Sequence, residues 1–338
     1  MKILLVGLGS VGQRHAANLR ALCGEELELI AYRVGGRRLV IADGAARPGD
    51  PEAEYGIRSL DDLDAALAER PDAVIVSNPS DLHVPVALAA ARAGCHLFVE
   101  KPLGHSEDGL DELVGLVEEQ GLVCAVGYQL RFHPGFARLA ELVGSGGLGR
   151  VLSAHFEYGE HIADWHPWED FRAGVFTGPG GGVLLSQIHD LDIAYGLFGL
   201  PQRVFATGGA RSSLGLGVED TADVLLECGP VAVHVHQDVL QRPPVRRYEV
   251  VGEEGRAVWD YLGGELRLTA AGGAVETVSY TGIARNDLFR DELRHFLDCV
   301  AGKALPVVGV RDGAASMRIA LAARRSLETG EAVILDPT

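Results

Sequence analysis

Apolar runs alternate with helical segments over the first 125 residues of the chain. Buried strands are predicted by the aliphatic runs at residues 3–6, 27–32, 73–76, 95–99 and 122–126. Between them the polar and apolar pattern predicts helices at residues 10–22, 60–69 with Ser59 as N-cap, 85–93 and 106–120 with Ser106 as cap. Strands separated by helices build a parallel sheet covered on both faces. Residues 1–125 are therefore predicted to form an α/β Rossmann domain with a doubly wound parallel sheet.

The pattern changes after Gly127. Strands now follow one another with only turns between them, which favours antiparallel pairing, at residues 151–158, 222–228, 231–240, 246–251 and 257–261. Helices are predicted at residues 134–144, 183–198, 286–300 and 313–328. Residues 126–338 should thus form a C-terminal α+β domain with an open, mostly antiparallel sheet, sharing one cleft with the first domain. Because exposed strands tend to be covered, we expect a homodimer or homotetramer built through this sheet.

Charge and cysteine content limit the class of protein. A net charge of −17 argues against a nucleic-acid or anionic-membrane partner, because both require a basic surface. The five cysteines show no Cys-x-x-Cys spacing, which fits a reducing compartment. No apolar run approaches the roughly 18 residues of a membrane span, so we expect a cytoplasmic protein. His234 and His236 alternate on a predicted strand without a third ligand at suitable spacing, and no metal site is expected.

A glycine-rich turn follows the first predicted strand. Gly7, Gly9 and Gly12 stand at G-x-G-x-x-G spacing between this strand and the first helix. There the first glycine permits a tight turn, the second lets backbone approach a pyrophosphate, and the third allows close packing of helix and strand. Free N–H groups at the helix N-terminus hold the phosphates. The motif predicts a dinucleotide site that includes Ser10 and Val11.

Arginines follow the second predicted strand, where most NAD-binding domains carry an acid that bonds the ribose 2′-hydroxyl. Arg33, Arg37 and Arg38 flank a pair of glycines, and no acid follows until Asp43. Guanidinium groups suit a 2′-phosphate through charge-assisted, often bidentate hydrogen bonds. The sequence therefore favours NADP over NAD as cofactor. NAD binding, with the arginines forming a solvated loop, is the open alternative.

Four motifs together resemble one protein family. They are GLGSVGQRH at residues 7–15, SNPSDLH at 77–83, Glu-Lys-Pro at 100–102 and GGGVLLSQIHDLD at 180–192. This combination resembles the Gfo/Idh/MocA family, which includes glucose–fructose oxidoreductase and inositol dehydrogenase. The resemblance runs through both predicted domains and implies a nicotinamide-dependent oxidoreductase.

The resemblance also implies roles for individual residues. Lys101 would lie beside the nicotinamide and bond the substrate oxygen, while His189 would be the general acid/base. A histidine titrates near neutrality and can move the hydroxyl proton, and a nearby ammonium stabilises developing alkoxide charge. Asp192 lies roughly 60° around the predicted helix from His189 and is a third catalytic candidate. The nicotinamide and ribose end of the cofactor groove would be lined by Asn78, Pro79, His83 and Glu100.

One position departs from the family pattern. Many members carry an aspartate one turn before the helix histidine, where it pairs with the imidazole. This chain has Leu185, Ser186 and Gln187 there, and none carries a charge. The basicity of His189 should therefore be lower than in the family. The candidates to compensate for the missing acid are Ser186, Gln187, Asp190 and Asp192.

A polar, aromatic-rich segment at residues 161–172 is the predicted substrate loop. Trp165 and Trp168 can stack on the apolar face of a sugar ring, and His166 and Arg172 can hold hydroxyls or a carboxylate. Arg131 and Arg285 are weaker candidates for anion recognition, and Gln187 is a further substrate-side candidate. The segment resembles family members that handle sugars. The expected substrate is a sugar, cyclitol or activated sugar with a secondary alcohol or ketone.

Three other functions fit parts of the pattern. The missing acid before His189 suits a non-catalytic NADP-binding sensor on the same scaffold. A glycosidase that uses tightly held cofactor for transient oxidation would show no net change in nicotinamide absorbance. An imine or enone reductase would keep the cofactor and change the acceptor.

Overall fold

The computed structural model describes residues 1–35, 38–42 and 44–336. Contacts divide the chain into two compact units. One comprises Met1–Gln129 with Asn286–Ala314, and the other comprises Leu130–Arg285 and the chain from Ala315 onward. The predicted division after residue 125 differs from this, because it gave residues 286–314 to the second domain. Leu293 and Phe296 are fully buried in the core of the first unit, beside residues of its central strands.

A parallel six-stranded sheet, in the order β5-β2-β1-β6-β7-β8, forms the centre of the first unit. The predicted Rossmann architecture is therefore confirmed. The elements of this part of the chain are β1 (Lys2–Val6), α1 (Ser10–Cys23), β2 (Glu28–Tyr32), β3 (Leu39–Ala42), β4 (Ala45–Pro48), α2 (Pro51–Tyr55), β5 (Arg58–Leu60), α3 (Leu63–Ala68), β6 (Ala73–Val76), α4 (His83–Arg92), β7 (His96–Glu100), α5 (Leu110–Glu119) and β8 (Cys124–Gly127).

Two local predictions in this unit were wrong, and one element was missed. Ser59 is not a helix cap but lies in strand β5, which pairs with β2. The helix starts later, where the Asp62 carboxylate accepts the N–H of Ala65 at 2.7 Å. Ser106 does not cap α5 either, since that helix begins after Gly109, whose φ is +75°. The hairpin β3–β4, directly after β2, was not predicted.

A nine-stranded sheet, in the order β16-β15-β14-β13-β9-β12-β11-β10-β17, forms the second unit. All neighbours pair antiparallel except β12 and β9, which confirms the mostly antiparallel prediction. The elements are α6 (Pro134–Gly144), β9 (Val151–Gly159), α7 (Val183–Ser186), α8 (His189–Phe198), β10 (Arg203–Gly209), β11 (Thr221–Cys228), β12 (Val231–Asp238), β13 (Val245–Gly252), β14 (Gly255–Asp260), β15 (Glu265–Ala270), β16 (Val275–Ser279), α9 (Arg285–Val300), α10 (Val310–Thr329) and β17 (Val333–Ile334).

The helix predicted over residues 183–198 is interrupted. Helix α7 ends at Ser186, and α8 begins at His189. Two glutamine side chains stabilise the break. The Gln237 amide donates to the carbonyl oxygen of Gln187 at 2.6 Å, and the Gln187 amide donates to that of Asp238 at 2.8 Å. His189 is thereby placed at the first position of α8. Among the described helices none is long and apolar enough to cross a membrane.

Candidate active site

The glycine turn between β1 and α1 has the geometry that the motif predicts. Gly7 has a φ of +93°, and a Cβ there would lie 2.9 Å from the backbone nitrogen of Asn78. A Cβ at Gly12 would lie 2.2 Å from the carbonyl oxygen of Gly7. The Ser77 hydroxyl donates to the same Gly7 oxygen at 3.1 Å. Two of the three glycines are therefore required by the packing of the protein itself.

Gly9 is different, because a Cβ there would meet no atom within 4 Å. Its backbone is extended, with φ −73° and ψ −167°, which any residue can adopt. Helix α1 starts at the next residue, with no side-chain cap and no acid in its first turn. The open space beside Gly9 and the uncapped N–H groups fit a pyrophosphate approached by backbone. Ser10 and Val11 form the first turn of this helix.

The segment after β2 holds the predicted arginines. Arg33 donates from Nε to the carbonyl oxygen of Gly35 at 2.9 Å and from a terminal nitrogen to Glu52 at 3.1 Å. Arg38 is exposed, and Arg37 lies outside the described residues. Gln13, which the sequence did not single out, bonds the carbonyl oxygens of Leu8 and Leu39 at 3.0 Å each, linking the glycine turn to the hairpin β3–β4.

A buried hydrogen-bonded cluster lies at the end of β7, where Lys101 follows Glu100. His15 of α1 contacts a Glu100 carboxylate oxygen through Nε2 at 2.7 Å, and the other oxygen accepts the backbone N–H of Lys101 at 3.2 Å. Burial pushes the pKa of Glu100 up, but the hydrogen bond from His15 and nearby positive charge outweigh it and hold the pKa below its ordinary value. His15 is fully buried and went unrecognised, although a histidine three residues after Gly12 was a usable signal.

His83 connects the two loops that flank this cluster. Its Nδ1 lies 2.8 Å from the carbonyl oxygen of Pro102, and its Nε2 lies 2.8 Å from that of Asn78. Burial lowers the pKa of His83, while both carbonyl contacts oppose that effect. Both ring nitrogens are thus used within the protein, so His83 positions the loop of Asn78 and Pro79. Direct contact of these residues with a cofactor stays a prediction.

In the second unit, the residue after His189 is tied into the sheet. The Asp190 carboxylate accepts the Tyr248 hydroxyl at 2.6 Å, a guanidinium N–H of Arg246 at 3.1 Å and the Gln237 amide at 3.3 Å. Burial opposes the charge of Arg246, but Asp190 and the neighbouring tyrosine oxygens raise its pKa and keep it protonated. His189 itself is 5% exposed. The first turn of α8 is therefore held rigidly from one side.

Asp192 and Arg131 were predicted for catalysis and substrate binding, and the structure joins them to each other. The guanidinium of Arg131 contacts the two Asp192 carboxylate oxygens at 2.7 and 3.1 Å and its carbonyl oxygen at 2.8 Å. The Ser316 hydroxyl donates to the same carboxylate at 3.0 Å. A carboxylate held by this many donors is interpreted more simply as the anchor of α8 than as a proton acceptor.

Gln187 does not replace the missing acid beside His189. Its amide nitrogen is used on the Asp238 carbonyl oxygen, and its side-chain oxygen has no hydrogen-bond partner among the described residues. The Asp190 carboxylate accepts a hydrogen bond from Tyr248, and the Asp192 carboxylate accepts one from Arg131.

The predicted substrate loop carries exposed polar groups and partly buried rings. Trp165 packs edge-on against Phe176 with 5.8 Å between ring centroids, and Trp168 lies 5.4 Å from the His166 ring. Arg172 is exposed and donates to the carbonyl oxygen of Leu214 at 3.2 Å. The indole nitrogens of both tryptophans have no hydrogen-bond partner among the described residues. Both indole nitrogens are themselves buried, while the side chains of His166 and Arg172 are exposed. Substrate contact at His166, Trp168 and Arg172 stays a prediction.

The paired histidines of β12 bind carboxylates. Asp223 contacts both His234, at 3.1 Å, and His236, at 2.8 Å, and Asp238 contacts the other ring nitrogen of His236 at 3.0 Å. No group of three or more metal-binding side chains is arranged to hold an ion within the described part of the chain. The hydrogen bond to Asp238 is the main effect that raises the pKa of His236, to about 9. Burial acts in the opposite direction, and Asp223 adds to the increase.

This raised pKa predicts a pH-dependent contribution to stability. The folded pKa of about 9 lies above the unfolded value of about 6.5, so His236 stabilises the fold fully below that lower pH and ceases to do so as pH rises through about 9. The His236→Gln variant should be less stable than wild type by roughly 1–2 kcal/mol at pH 6, after allowance for solvent screening. Urea unfolding across this range measures the difference. A difference that stays constant up to pH 10 would contradict the assignment.

Comparison with known proteins places this geometry in a family. Residues 1–128 match a family model described as an oxidoreductase family with an NAD-binding Rossmann fold. Residues 136–258 match the model of a GFO/IDH/MocA C-terminal domain. Both matched segments contain motifs quoted above, the glycine turn in the first and GGGVLLSQIHDLD in the second.

Three relatives match along nearly their whole length. UDP-N-acetylglucosamine 3-dehydrogenase of Acidithiobacillus ferrooxidans is 30% identical over 335 residues, covering 96% of this chain and 95% of the relative. Its solved structure superimposes with a TM-score of 0.78 at 25% identity, covering 97% and 98% of the two chains. scyllo-Inositol 2-dehydrogenase (NAD(+)) of Bacillus subtilis is 28% identical, covering 99% and 96%. D-Xylose 1-dehydrogenase (NADP(+)) 2 of Haloferax volcanii is 28% identical, covering 98% and 99%.

The sequence resemblance is thereby confirmed over both units. The chain is a member of the Gfo/Idh/MocA family of oxidoreductases, with an NAD-binding Rossmann domain at its N-terminus.

Proposed function

We propose that this protein is an NADP-preferring dehydrogenase or reductase that transfers hydride between the nicotinamide and a secondary alcohol or ketone of a sugar, cyclitol or sugar derivative. One observation carries the proposal furthest. His15, on the helix that follows the glycine turn, binds Glu100, and Glu100 accepts the backbone N–H of Lys101. The dinucleotide-binding helix and the proposed catalytic lysine thus share one buried framework.

The chemistry divides between the cofactor and two side chains. The nicotinamide, when bound, accepts or supplies the hydride. In the oxidation of an alcohol, the Lys101 ammonium hydrogen-bonds the substrate oxygen and stabilises negative charge as it develops. His189 takes the hydroxyl proton, and in the reverse direction it returns that proton to the ketone oxygen.

The cofactor preference is proposed from the arginines after β2. Arg33 and Arg38 provide guanidinium donors beside the position where an acid usually bonds the ribose 2′-hydroxyl. The names of the relatives include one NAD enzyme and one NADP enzyme, so the family alone does not decide.

The substrate class is proposed from the loop at residues 161–172 and from the relatives' names. Two half-buried tryptophan rings and the exposed polar side chains of His166 and Arg172 suit a ring that has both an apolar face and hydroxyls. The relatives act on an inositol, a xylose and a UDP-linked amino sugar by their names.

Steady-state turnover tests the proposal. The purified protein is incubated with oxidised cofactor and a panel of inositols, free aldoses and UDP-sugars, and reduced nicotinamide is followed by its absorbance. We expect substrate-dependent reduction with at least one member of the panel. Cofactor binding without net turnover of any member of the panel would favour a sensor. Substrate cleavage without net change in absorbance would favour a glycosidase.

We also propose that the protein assembles through the second sheet. Phe205, Leu225, His234 and His155 stand directly opposite one another on four neighbouring strands and therefore share one face. Phe205 is 38% exposed and Leu225 is 50% exposed, so the row has apolar surface to bury. Light scattering should report a dimer or tetramer that Leu225→Glu dissociates and Leu262→Glu, an exposed residue outside that row, does not. A monomeric wild type would contradict assembly.

A further inference from the structure

The end of strand β2 opens into a cavity of about 440 Å³. Arg33, Gly35, Glu52, Ser59 and Asp61 are among its lining residues. The hydroxyl of Ser59 is buried and has no hydrogen-bond partner among the described residues. The cavity lies where a Rossmann domain binds the adenosine ribose, beyond the second strand.

Two side chains that normally select different cofactors both line this cavity. A guanidinium at this end of the sheet selects a 2′-phosphate, whereas a carboxylate accepts the 2′-hydroxyl of NAD and repels a phosphate. Here Arg33 and Glu52 are both present, 3.1 Å apart. The Arg33 side chain is 14% exposed and that of Glu52 is 35% exposed, so solvent only partly screens the pair.

Glu52 occupies one of the Arg33 donors that a 2′-phosphate would need. One terminal nitrogen of Arg33 donates to Glu52, and Nε donates to the carbonyl oxygen of Gly35. A phosphate that binds this guanidinium must therefore displace the carboxylate or lie beside it, and like charges placed together weaken binding.

We propose that Glu52 sets the cofactor selectivity of this site, by competing with the 2′-phosphate of NADP for Arg33 and by accepting the 2′-hydroxyl of NAD. The inference rests on the proposed binding of a nicotinamide dinucleotide in the first unit. It implies that wild type prefers NADPH over NADH only weakly. Removing the charge of Glu52 should strengthen the preference for NADPH that Arg33 confers.

Helix α2 offers a matched control. Glu54 lies two residues after Glu52 in the first turn of the same helix and pairs with Arg47 at 2.7 Å. Glu52→Gln and Glu54→Gln change net charge equally, and each removes one first-turn acid from α2. Glu54 is not among the cavity-lining residues.

Dissociation constants of NADPH and NADH, measured by fluorescence titration of the stripped protein, test the inference without requiring a substrate. For Glu52→Gln we expect the affinity ratio to move toward NADPH by on the order of tenfold, with NADH binding unchanged or weaker. Glu54→Gln should leave the ratio within about twofold of wild type.

The outcomes separate this inference from the proposed function. An unchanged ratio in Glu52→Gln, or an equal shift in both variants, overturns the role of Glu52 and leaves dinucleotide binding intact. Wild type could prefer NADH while the affinity ratio still moves toward NADPH in Glu52→Gln alone. That result would support the role of Glu52 and remove NADP preference from the proposed function. A protein that binds neither cofactor overturns both.

Discussion

Lys101→Met should lower kcat by about a thousandfold, while the affinity for NADPH stays within about threefold of wild type. The ammonium acts on charge that develops in the transition state, so its loss affects turnover more than cofactor binding. His189→Gln should lower kcat by a similar factor, on the order of 10² to 10⁴, since the proton then has no acceptor. Steady-state rates and a fluorescence titration of each variant measure the two quantities separately.

Lys303→Met is the matched control. Lys303 is exposed and pairs only loosely with Asp298 at 3.3 Å, so the same change of charge should leave kcat unaltered. The proposed mechanism is contradicted if Lys101→Met turns over substrate at the rate of this control. Loss of NADPH binding together with activity would instead assign Lys101 to the cofactor.

Gly9→Ala should weaken the affinity for NADPH by about a hundredfold or more without unfolding the protein. The added methyl group meets no protein atom within 4 Å, and the backbone at this position suits alanine, so the free energy of unfolding should change by no more than about 1 kcal/mol. The methyl group would occupy the space through which the backbone approaches a pyrophosphate.

Gly12→Ala, unlike Gly9→Ala, should strongly destabilise the cofactor-free protein. Its Cβ would lie 2.2 Å from the Gly7 carbonyl oxygen and 2.8 Å from the Ser77 hydroxyl, and the backbone cannot yield easily. We expect a loss of stability of about 3 kcal/mol or more. Urea unfolding of both cofactor-free variants, followed by titration with NADPH, distinguishes the two glycines. Wild-type affinity in Gly9→Ala would show that no phosphate approaches this turn.

The sequence predicts best what is encoded locally. Strand β1, the glycine turn and helix α1 follow one another within about twenty residues, and their apolar spacing and glycines determine their conformation. Helix α6 was likewise predicted with its observed limits, Pro134 to Gly144, because Pro stands at its first turn and apolar residues keep the helical period.

Features that depend on distant partners could not be predicted. Residues 183–198 have a continuous helical pattern, and the break after Ser186 depends on Gln237, fifty residues away. Asp192 resembles a catalytic acid in sequence, yet its partner Arg131 lies 61 residues earlier and engages its carboxylate. Strand β5 forms only because it pairs with β2, which overrides the capping pattern at Ser59.

The candidate site shows the same division. Lys101 and Glu100 were assigned from the family resemblance of their Glu-Lys-Pro motif, and their roles stay a prediction. Glu52 has no sequence signal that relates it to Arg33. Their ion pair spans 19 residues and depends on the hairpin β3–β4, which the sequence did not predict.

Titration of the cofactor-stripped protein with NADPH and NADH, side by side and followed by fluorescence, tests the central claim most directly. We expect saturable binding of both reduced nicotinamides, with NADPH the tighter ligand. Tighter binding of NADH would remove the preference assigned to the arginines and leave the oxidoreductase assignment in place. Binding of neither would contradict the claim that the first unit holds a nicotinamide dinucleotide.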